Sequence, residues 1–523
     1  MRFSDSLQAG IDGARSHGIG GLLRRSAARH PDKPALVCGG SRETYAELDR
    51  AVNRVANALT ARGIAPGERV ALLSRNCRGF VLAYLALARL GAISVPVNFM
   101  LNAAEVAYIL GHAGVAGLVA EEALLGVADE AIAASGCAPR LRGVIGAAAA
   151  GWEPLEAWTQ HPDDRAPAVH VPDDAPAQIL YTSGTESRPK GATLSSRSLM
   201  AQYASCIVDG EMSADDVELH CLPLYHCAQL HCFLSVDLLL GATSVVMPGA
   251  DAGAMLAAVE RERISKLFCP PTVWIALLRH PDFERRDLSS LRKGYYGASV
   301  MPEEVVRELS RRLPGVRLFN FYGQTELAPL ATVLKPEDQL SRIGSAGRPA
   351  LNVETRVVDD EDRPVPPGTV GEIVHRSPHV MLGYWNDEAK TAEAFRNGWF
   401  HSGDLGVLDS DGYLRVVDRK KDMIKSGGEN VASREVEEVI YTHPAVAEAA
   451  VFGLPHERWI ECVTAAVVCR AGQSLSEAAL IEFCRERLAG YKSPKRIILL
   501  EALPKNASGK ILKRELRQRF LQG

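Results

Sequence analysis

Tyr181-Thr-Ser-Gly-Thr-Glu-Ser-Arg-Pro-Lys-Gly191 is the stretch on which the reading of this chain turns. It gathers hydroxyls, glycines and a lysine directly after the apolar run 177–180. Glycines let backbone N–H groups approach phosphate oxygens, hydroxyls donate hydrogen bonds and lysine supplies positive charge. The pattern suits a loop that holds nucleotide phosphates at the end of a strand. It is not a Walker P-loop, because Pro189 stands where that motif has its second glycine and no Gly-Lys-Ser/Thr follows. Alone, such a stretch reads equally well as a polar surface loop. Segments farther along the chain decide between the two.

Working outward, 523 residues exceed one typical core, so two or more domains are expected. A content of 47% hydrophobic and 23% charged residues is that of a soluble globular protein. A net charge of −4 gives no reason for a nucleic-acid partner. Residues 1–10 lack the apolar core of a signal peptide, and no long uncharged apolar run could span a bilayer. Eleven scattered cysteines, an odd number, fit reduced thiols in a cytoplasmic protein. The pairs His220-Cys221, His226-Cys227 and His231-Cys232 offer metal-ligand chemistry. They lack a Cys-x-x-Cys spacing and lie in apolar sequence, so buried thiols are the stronger reading than structural zinc.

Helical and strand periodicities alternate over the first four-fifths of the chain. Helices are expected over 43–62, 80–90, 229–240, 252–263, 272–278 and 301–312, and strands over 70–73, 93–97, 218–224, 243–247, 266–269 and 316–321. Such alternation implies mostly parallel sheets with helices on their faces, and ligands at the carboxyl ends of strands. From about residue 352 the pattern turns antiparallel, with strands over 353–358, 371–375 and 413–417. The charged run Asp418-Arg-Lys-Lys-Asp422 reads as a domain boundary, followed by helices over 433–441 and 476–489. The expected fold is α/β. A large N-terminal domain, 1–420, has mixed and parallel sheets flanked by helices plus a β-rich subdomain. A small mobile α+β domain, 421–523, completes it.

Three further motifs carry chemistry. Tyr322-Gly-Gln-Thr-Glu326 follows a strand and offers an aromatic face for a base, a hydroxyl for a phosphate and a carboxylate for Mg²⁺. His401-Ser-Gly-Asp404 puts an acid behind a glycine, where it can accept from ribose hydroxyls. Pro504-Lys-Asn-Ala-Ser-Gly-Lys-Ile511 places Lys510 just beyond a flexible turn near the end of the chain.

In this order, with Leu222-Pro-Leu-Tyr-His226, Gly344-Ser-Ala-Gly-Arg-Pro349 and the stretches 399–404 and 419–430, these motifs resemble the acyl-CoA synthetases of the ANL adenylate-forming superfamily over residues 34–516. The resemblance implies ATP, Mg²⁺ and coenzyme A as cofactors and cosubstrate, and a small-molecule carboxylic acid as substrate. Thr182, Ser183, Gly184, Thr185 and Lys190 would hold the β- and γ-phosphates. Gly297, Ala298, Ser299, Tyr322 and Gly323 would surround adenine, and Asp404 and Arg419 would bind ribose. Thr325 would meet the α-phosphate and Glu326 the metal. His226 would line the entrance to the carboxylate pocket. Lys510 would bridge the acid and the α-phosphate, Lys421 would be the hinge, and Gly427 and Gly428 would lie beside the pantetheine tunnel. Position relative to the motifs makes Gln229, Phe233, Trp274, Tyr295, Tyr296 and Leu327 the expected pocket walls, a mix that suits an apolar acid.

The chain departs from the pattern in places. Glu186 and Ser187 stand where the family loop continues Thr-Gly, and a carboxylate beside phosphates is repelled, so Glu186 is expected to point away. His456 and Ile460 replace family residues in the C-terminal domain, Ile460 standing for a glycine, and Ser196 replaces a histidine. An acyl-AMP ligase that delivers to an acyl carrier protein, an amino-acid-activating domain and a catalytically impaired nucleotide-binding homologue are the alternatives. A homodimer is one expected assembly.

Overall fold

The computed structural model describes residues 4–182, 188–297, 299, 301–426, 429–505 and 511–521. Ser183, Gly184, Thr185, Glu186, Ser187, Ala298, Gly427, Gly428 and Lys510 lie outside the described residues.

The described strands assemble into four sheets. A nine-stranded sheet has a parallel centre, in which Pro34–Cys38, Thr243–Val246, Val217–His220, Lys266–Phe268, Lys293–Gly297 and Arg317–Gly323 lie side by side. Antiparallel strands close both of its edges. An eight-stranded sheet holds Ile93–Val97, Arg69–Leu73, Gly117–Glu121 and Leu141–Ile145 in parallel, with Pro176–Thr182 and Lys190–Ser195 as an antiparallel pair toward one edge. A five-stranded antiparallel sheet carries Glu354–Val358, Gly371–Arg376, Trp399–Leu408 and Leu414–Arg419. These three sheets make the large N-terminal domain. The fourth sheet, built on the long pair Val446–His456 and Ile460–Cys469, belongs to a small C-terminal domain with its own core of Ile424, Val436, Val451, Val463 and Leu480.

Local chemistry explains the helices that hold the sheets in place. Helix Tyr45–Ala61 starts at a capping box in which Thr44 and Glu47 satisfy each other's backbone N–H groups. Its apolar stripe Leu48, Val52, Val55, Ala56 and Leu59 is buried. Helix Arg78–Leu90 is buried along most of its length and ends at Gly91, whose φ of +75° is a glycine conformation.

Two elements differ from expectation near the site. The strand expected over 218–224 stops at His220. Pro223 has no N–H for a ladder, and the Asn76 side chain clamps its neighbours instead, donating to the Leu222 carbonyl and accepting from the Leu224 N–H, both at 2.7 Å. The helix expected over 229–240 is two pieces, a π-helical turn Ala228–Leu234 and an α-helix Ser235–Leu240. The charged run from Asp418 is also less of a linker than its composition suggests. Asp418 and Arg419 complete the strand Leu414–Arg419. The Asp418 carboxylate is buried because it accepts from the Ser433 N–H at 2.6 Å and hydroxyl at 2.8 Å, at the start of helix Ser433–Tyr441.

Among the described residues no helix is long and apolar enough to cross a membrane. All eleven cysteines are unpaired.

Candidate active site

The site forms where the carboxyl ends of two sheets meet the antiparallel third. Strand Arg317–Gly323 delivers Tyr322 and Gly323, and the 3₁₀ turn Thr325–Leu327 follows. Glycine is obligatory here: a Cβ on Gly323 would sit 1.8 Å from the Pro329 carbonyl oxygen, and one on Gly297 would sit 2.3 Å from that of Phe321. The two strand ends therefore lie closer together than side chains would permit. Ser299, beyond Gly297, is exposed.

Tyr322 is half-buried and its hydroxyl donates to Asp404 Oδ2 at 2.8 Å. Burial and the Asp404 charge push that hydroxyl well above the usual tyrosine range. On its other side Asp404 faces Arg419 across the strand pair, with Arg419 Nε 3.7 Å from Oδ1. Tyr322, Asp404 and Arg419 thus form one unit from three segments.

Glu326 is buried at 8% exposure, and its Oε1 accepts from the Tyr384 hydroxyl at 2.9 Å. Lys190 Nζ lies over the Tyr384 ring, 4.5 Å from its centre. Thr182 pairs with Lys190 at the root of the loop, and Thr182 Oγ1 donates to the Lys190 carbonyl at 3.4 Å. Tyr108 steadies the same root: its hydroxyl donates to the Pro189 carbonyl at 3.3 Å and its ring lies under Arg188.

Thr325 Oγ1 lies 3.1 Å from Cys227 Sγ, so the turn after Tyr322 touches the segment that carries His226. The Ala228 N–H donates to His226 Nδ1 at 3.3 Å, which leaves the proton of the neutral ring on Nε2.

Lys421 is an exposed residue, yet the protein packed around its amine and the nearby Arg419 guanidinium pull it down to about 8, and Lys190 adds to the repulsion. Asp404 acts on it in the opposite sense. Lys190, Asp404, Arg419 and Lys421 therefore share one electrostatic neighbourhood. Arg434, on helix Ser433–Tyr441, also feels Asp404 and is lowered chiefly by burial.

Gln229, Phe233, Trp274, Tyr295, Tyr296 and Leu327, the expected pocket walls, are all buried in the structure. Phe233 stacks on Phe268 with ring centres 4.5 Å apart. The polar atoms are spent inside the protein: Trp274 Nε1 donates to the Tyr295 carbonyl at 3.0 Å, the Tyr295 hydroxyl to the Gly210 carbonyl at 2.6 Å, and the Tyr296 hydroxyl to Gln339 at 2.7 Å. Gln229 Nε2 is 2.8 Å from His220 Nδ1.

Beneath the π-helical turn lies a fully buried charged group. Lys266 Nζ is 2.8 Å from Glu218 Oε2 and bonds Asp237, while His220 Nε2 is 3.3 Å from Asp237 Oδ2. Among the described residues Glu218, His220 and Asp237 are the one cluster with metal-ligand spacing. The Lys266 ammonium already supplies its cation. Burial raises Glu218 well above the carboxylate range, whereas Lys266 and His220 outweigh burial at Asp237 and hold it ionised. The three His–Cys pairs of the sequence diverge: His231 bonds Tyr203 at 2.8 Å, and Cys232 meets the Gln202 amide.

Sequence reading gave Tyr384 and Arg434 no place at the site, and read Cys227, beside His226, only as a buried thiol; packing brings all three there.

Comparison with known proteins identifies the family. The family described as AMP-binding enzyme matches residues 23–385, and the AMP-binding enzyme C-terminal domain matches residues 435–510. A feruloyl-CoA synthase from Amycolatopsis is 39% identical over 97% of this chain and 100% of its own length. An indoleacetate–CoA ligase from Aromatoleum aromaticum is 38% identical over 95% of this chain and 97% of its own. The crystal structure of an anthranilate CoA ligase in complex with anthranoyl-AMP superposes with a TM-score of 0.89 at 29% identity, covering 96% of this chain and 97% of that one. The chain belongs to the AMP-binding enzyme family, within the ANL adenylate-forming superfamily of acyl-CoA synthetases.

Proposed function

We propose that this enzyme activates an apolar, ring-bearing carboxylic acid as its acyl-adenylate, releasing pyrophosphate, and then passes the acyl group to coenzyme A. The observation that carries this reading is the convergence of Tyr322, Asp404 and Arg419 with Thr325, Glu326 and Lys190 at the strand ends. In this reading Tyr322 would face the base, Asp404 the ribose, and Thr325 and Lys190 the phosphates. The ring-bearing acid is supported by relatives named for feruloyl and indoleacetate substrates.

A carboxylate attacking a polyphosphate meets charge repulsion. Lys510 would neutralise it from the C-terminal side and Thr325 would donate to the α-phosphate. His226, with its proton on Nε2, would donate to the incoming carboxylate. Glu326 fits Mg²⁺, since it offers hard carboxylate oxygen beside the phosphate root, and the ion would add charge neutralisation when bound.

The large domain is taken as 1–420 and the small one as 421–523. Rotation about Lys421 would withdraw Lys510 after adenylation and bring Gly427 and Gly428 to the pantetheine arm. Eleven unpaired thiols fit a reducing compartment such as the cytoplasm.

The test is pyrophosphate release from ATP with hydroxycinnamic, arylacetic and medium-chain aliphatic acids, followed by mass analysis of the thioester with coenzyme A and with a phosphopantetheinylated carrier protein. The reading requires release with at least one ring-bearing acid and a coenzyme A thioester. Release with no acid would overturn it, and a thioester on the carrier alone would replace its acceptor.

A further inference from the structure

Cys227 follows His226 and immediately precedes the π-helical turn Ala228–Leu234. It is 2% exposed. Its sulfur touches groups from two segments of the site: Thr325 Oγ1 at 3.1 Å and His226 Nδ1 at 3.8 Å. Two chain segments 98 residues apart thus meet through one thiol.

The direction of the Cys227–Thr325 bond matters. A threonine hydroxyl has a single proton. If that proton went to sulfur, the oxygen would turn lone pairs toward an incoming phosphate and repel it. If sulfur is the donor, the threonine oxygen accepts and its own O–H stays available for the anion. Burial pushes the Cys227 thiol up to about 12, so the sulfur carries a proton to give throughout the neutral range. The His226 Nδ1 lone pair already accepts from the Ala228 N–H, which leaves Thr325 Oγ1 as the better-placed acceptor.

We infer that Cys227 is a positioning residue for adenylation: its S–H donates to Thr325 Oγ1 and so aims the threonine O–H at the α-phosphate of the nucleotide. This rests on the reading of Thr325 as the α-phosphate contact. The effect belongs to the first half-reaction alone, because supplied acyl-adenylate needs no further attack at phosphorus.

The test uses the full-length enzyme and four variants: Cys227→Val, which keeps volume and removes the donor; Cys227→Ser, which keeps a donor; Thr325→Ala; and the double variant Cys227→Val/Thr325→Ala. Acid-dependent ATP–pyrophosphate exchange gives kcat and KM, and thioester formation from supplied acyl-adenylate reports the second step. One lost hydrogen bond corresponds to about a tenfold change in rate. The expected result is that Cys227→Val lowers kcat of exchange about tenfold, leaves KM for the acid within about twofold, and leaves the second step intact. Cys227→Ser recovers exchange to within about threefold of wild type, and the double variant is no slower than Thr325→Ala. Wild-type exchange in Cys227→Val overturns the inference while sparing the reading of Thr325. So does a tenfold loss that repeats in the Thr325→Ala background, which would mark a packing role. Wild-type exchange in Thr325→Ala itself overturns the reading of Thr325 and this inference with it.

Discussion

The Tyr322 hydroxyl donates to Asp404 Oδ2 at 2.8 Å, which ties the strand end of one sheet to the middle strand of another. The aromatic ring proposed to face adenine and the carboxylate proposed to face ribose therefore move together. Removing the hydroxyl while keeping the ring isolates that coupling. A hydrogen bond to a charged group contributes about 1.5 kcal/mol, roughly tenfold in affinity. Tyr322→Phe is expected to raise the Kd for ATP by about that factor in calorimetry, with little change in thermal unfolding. An unchanged Kd would mean that Arg419 alone holds Asp404 in place.

Lys421 has its pKa pulled from the ordinary 10.5 to about 8 by burial and by Arg419. At pH 8 about half of its amines are neutral, against under about 1% for an unperturbed lysine. Competitive acylation with peptide mapping should mark Lys421 as the most reactive lysine near neutral pH. The sign for stability follows from linkage. Between about 8 and 10.5 the unfolded chain holds a proton that the folded one has released, so this group's contribution to stability rises with pH across that window. Lys421→Met should flatten that rise. Ordinary reactivity at Lys421 would contradict the depressed value.

Lys266 is the cation of a fully buried group with Glu218 and Asp237. Removing one partner strands the other charge, which costs about 3–5 kcal/mol. Lys266→Met should lower the denaturation midpoint accordingly, and adding Asp237→Asn should recover much of the loss, since Glu218 is already held protonated. Equal destabilisation by the single and double variants would rule out an electrostatic origin.

Ile460 has a φ of +68° and is 64% exposed. It opens the strand Ile460–Cys469 after a tight turn from His456, a position where glycine is the ordinary occupant. A β-branched residue is strained there by about 1–2 kcal/mol. Ile460→Gly is expected to stabilise the C-terminal domain by about 1 kcal/mol in urea denaturation, once the entropy of glycine in the unfolded chain is allowed for. Destabilisation would show that the exposed side chain makes a contact worth more than the strain.

Strand and helix order was legible because parallel α/β sheets alternate the two hydrophobic periods. Helix 433–441 was read to its last residue, since its buried stripe at Val436 and Ile440 is a local signal, although its start is held by Asp418, fifteen positions upstream. The strand expected to run through Leu222 was overread: Pro223 is a local stop within it, and the side chain that holds the stretch instead, Asn76, lies 146 positions away. The π-helical turn has no distinct hydrophobic period, so it passed for an ordinary helix. Asp404 and Arg419 were legible as motif residues, but the register that sets them opposite each other is not written in either motif. Tyr384 and Cys227 enter the site only through tertiary contact. The burial of the six expected wall residues, and the internal hydrogen bonds that occupy their polar atoms, depend on packing between strands and are not written in their local sequence.

The central claim is that Lys510 neutralises two mutually repelling anions in the first half-reaction and has no part in the second. Single-turnover measurement of both steps in Lys510→Ala tests it most directly. The account predicts acyl-adenylate formation slowed by about a hundredfold or more, with thioester formation from supplied acyl-adenylate preserved. Equal loss of both steps, or adenylation at the wild-type rate, would contradict it.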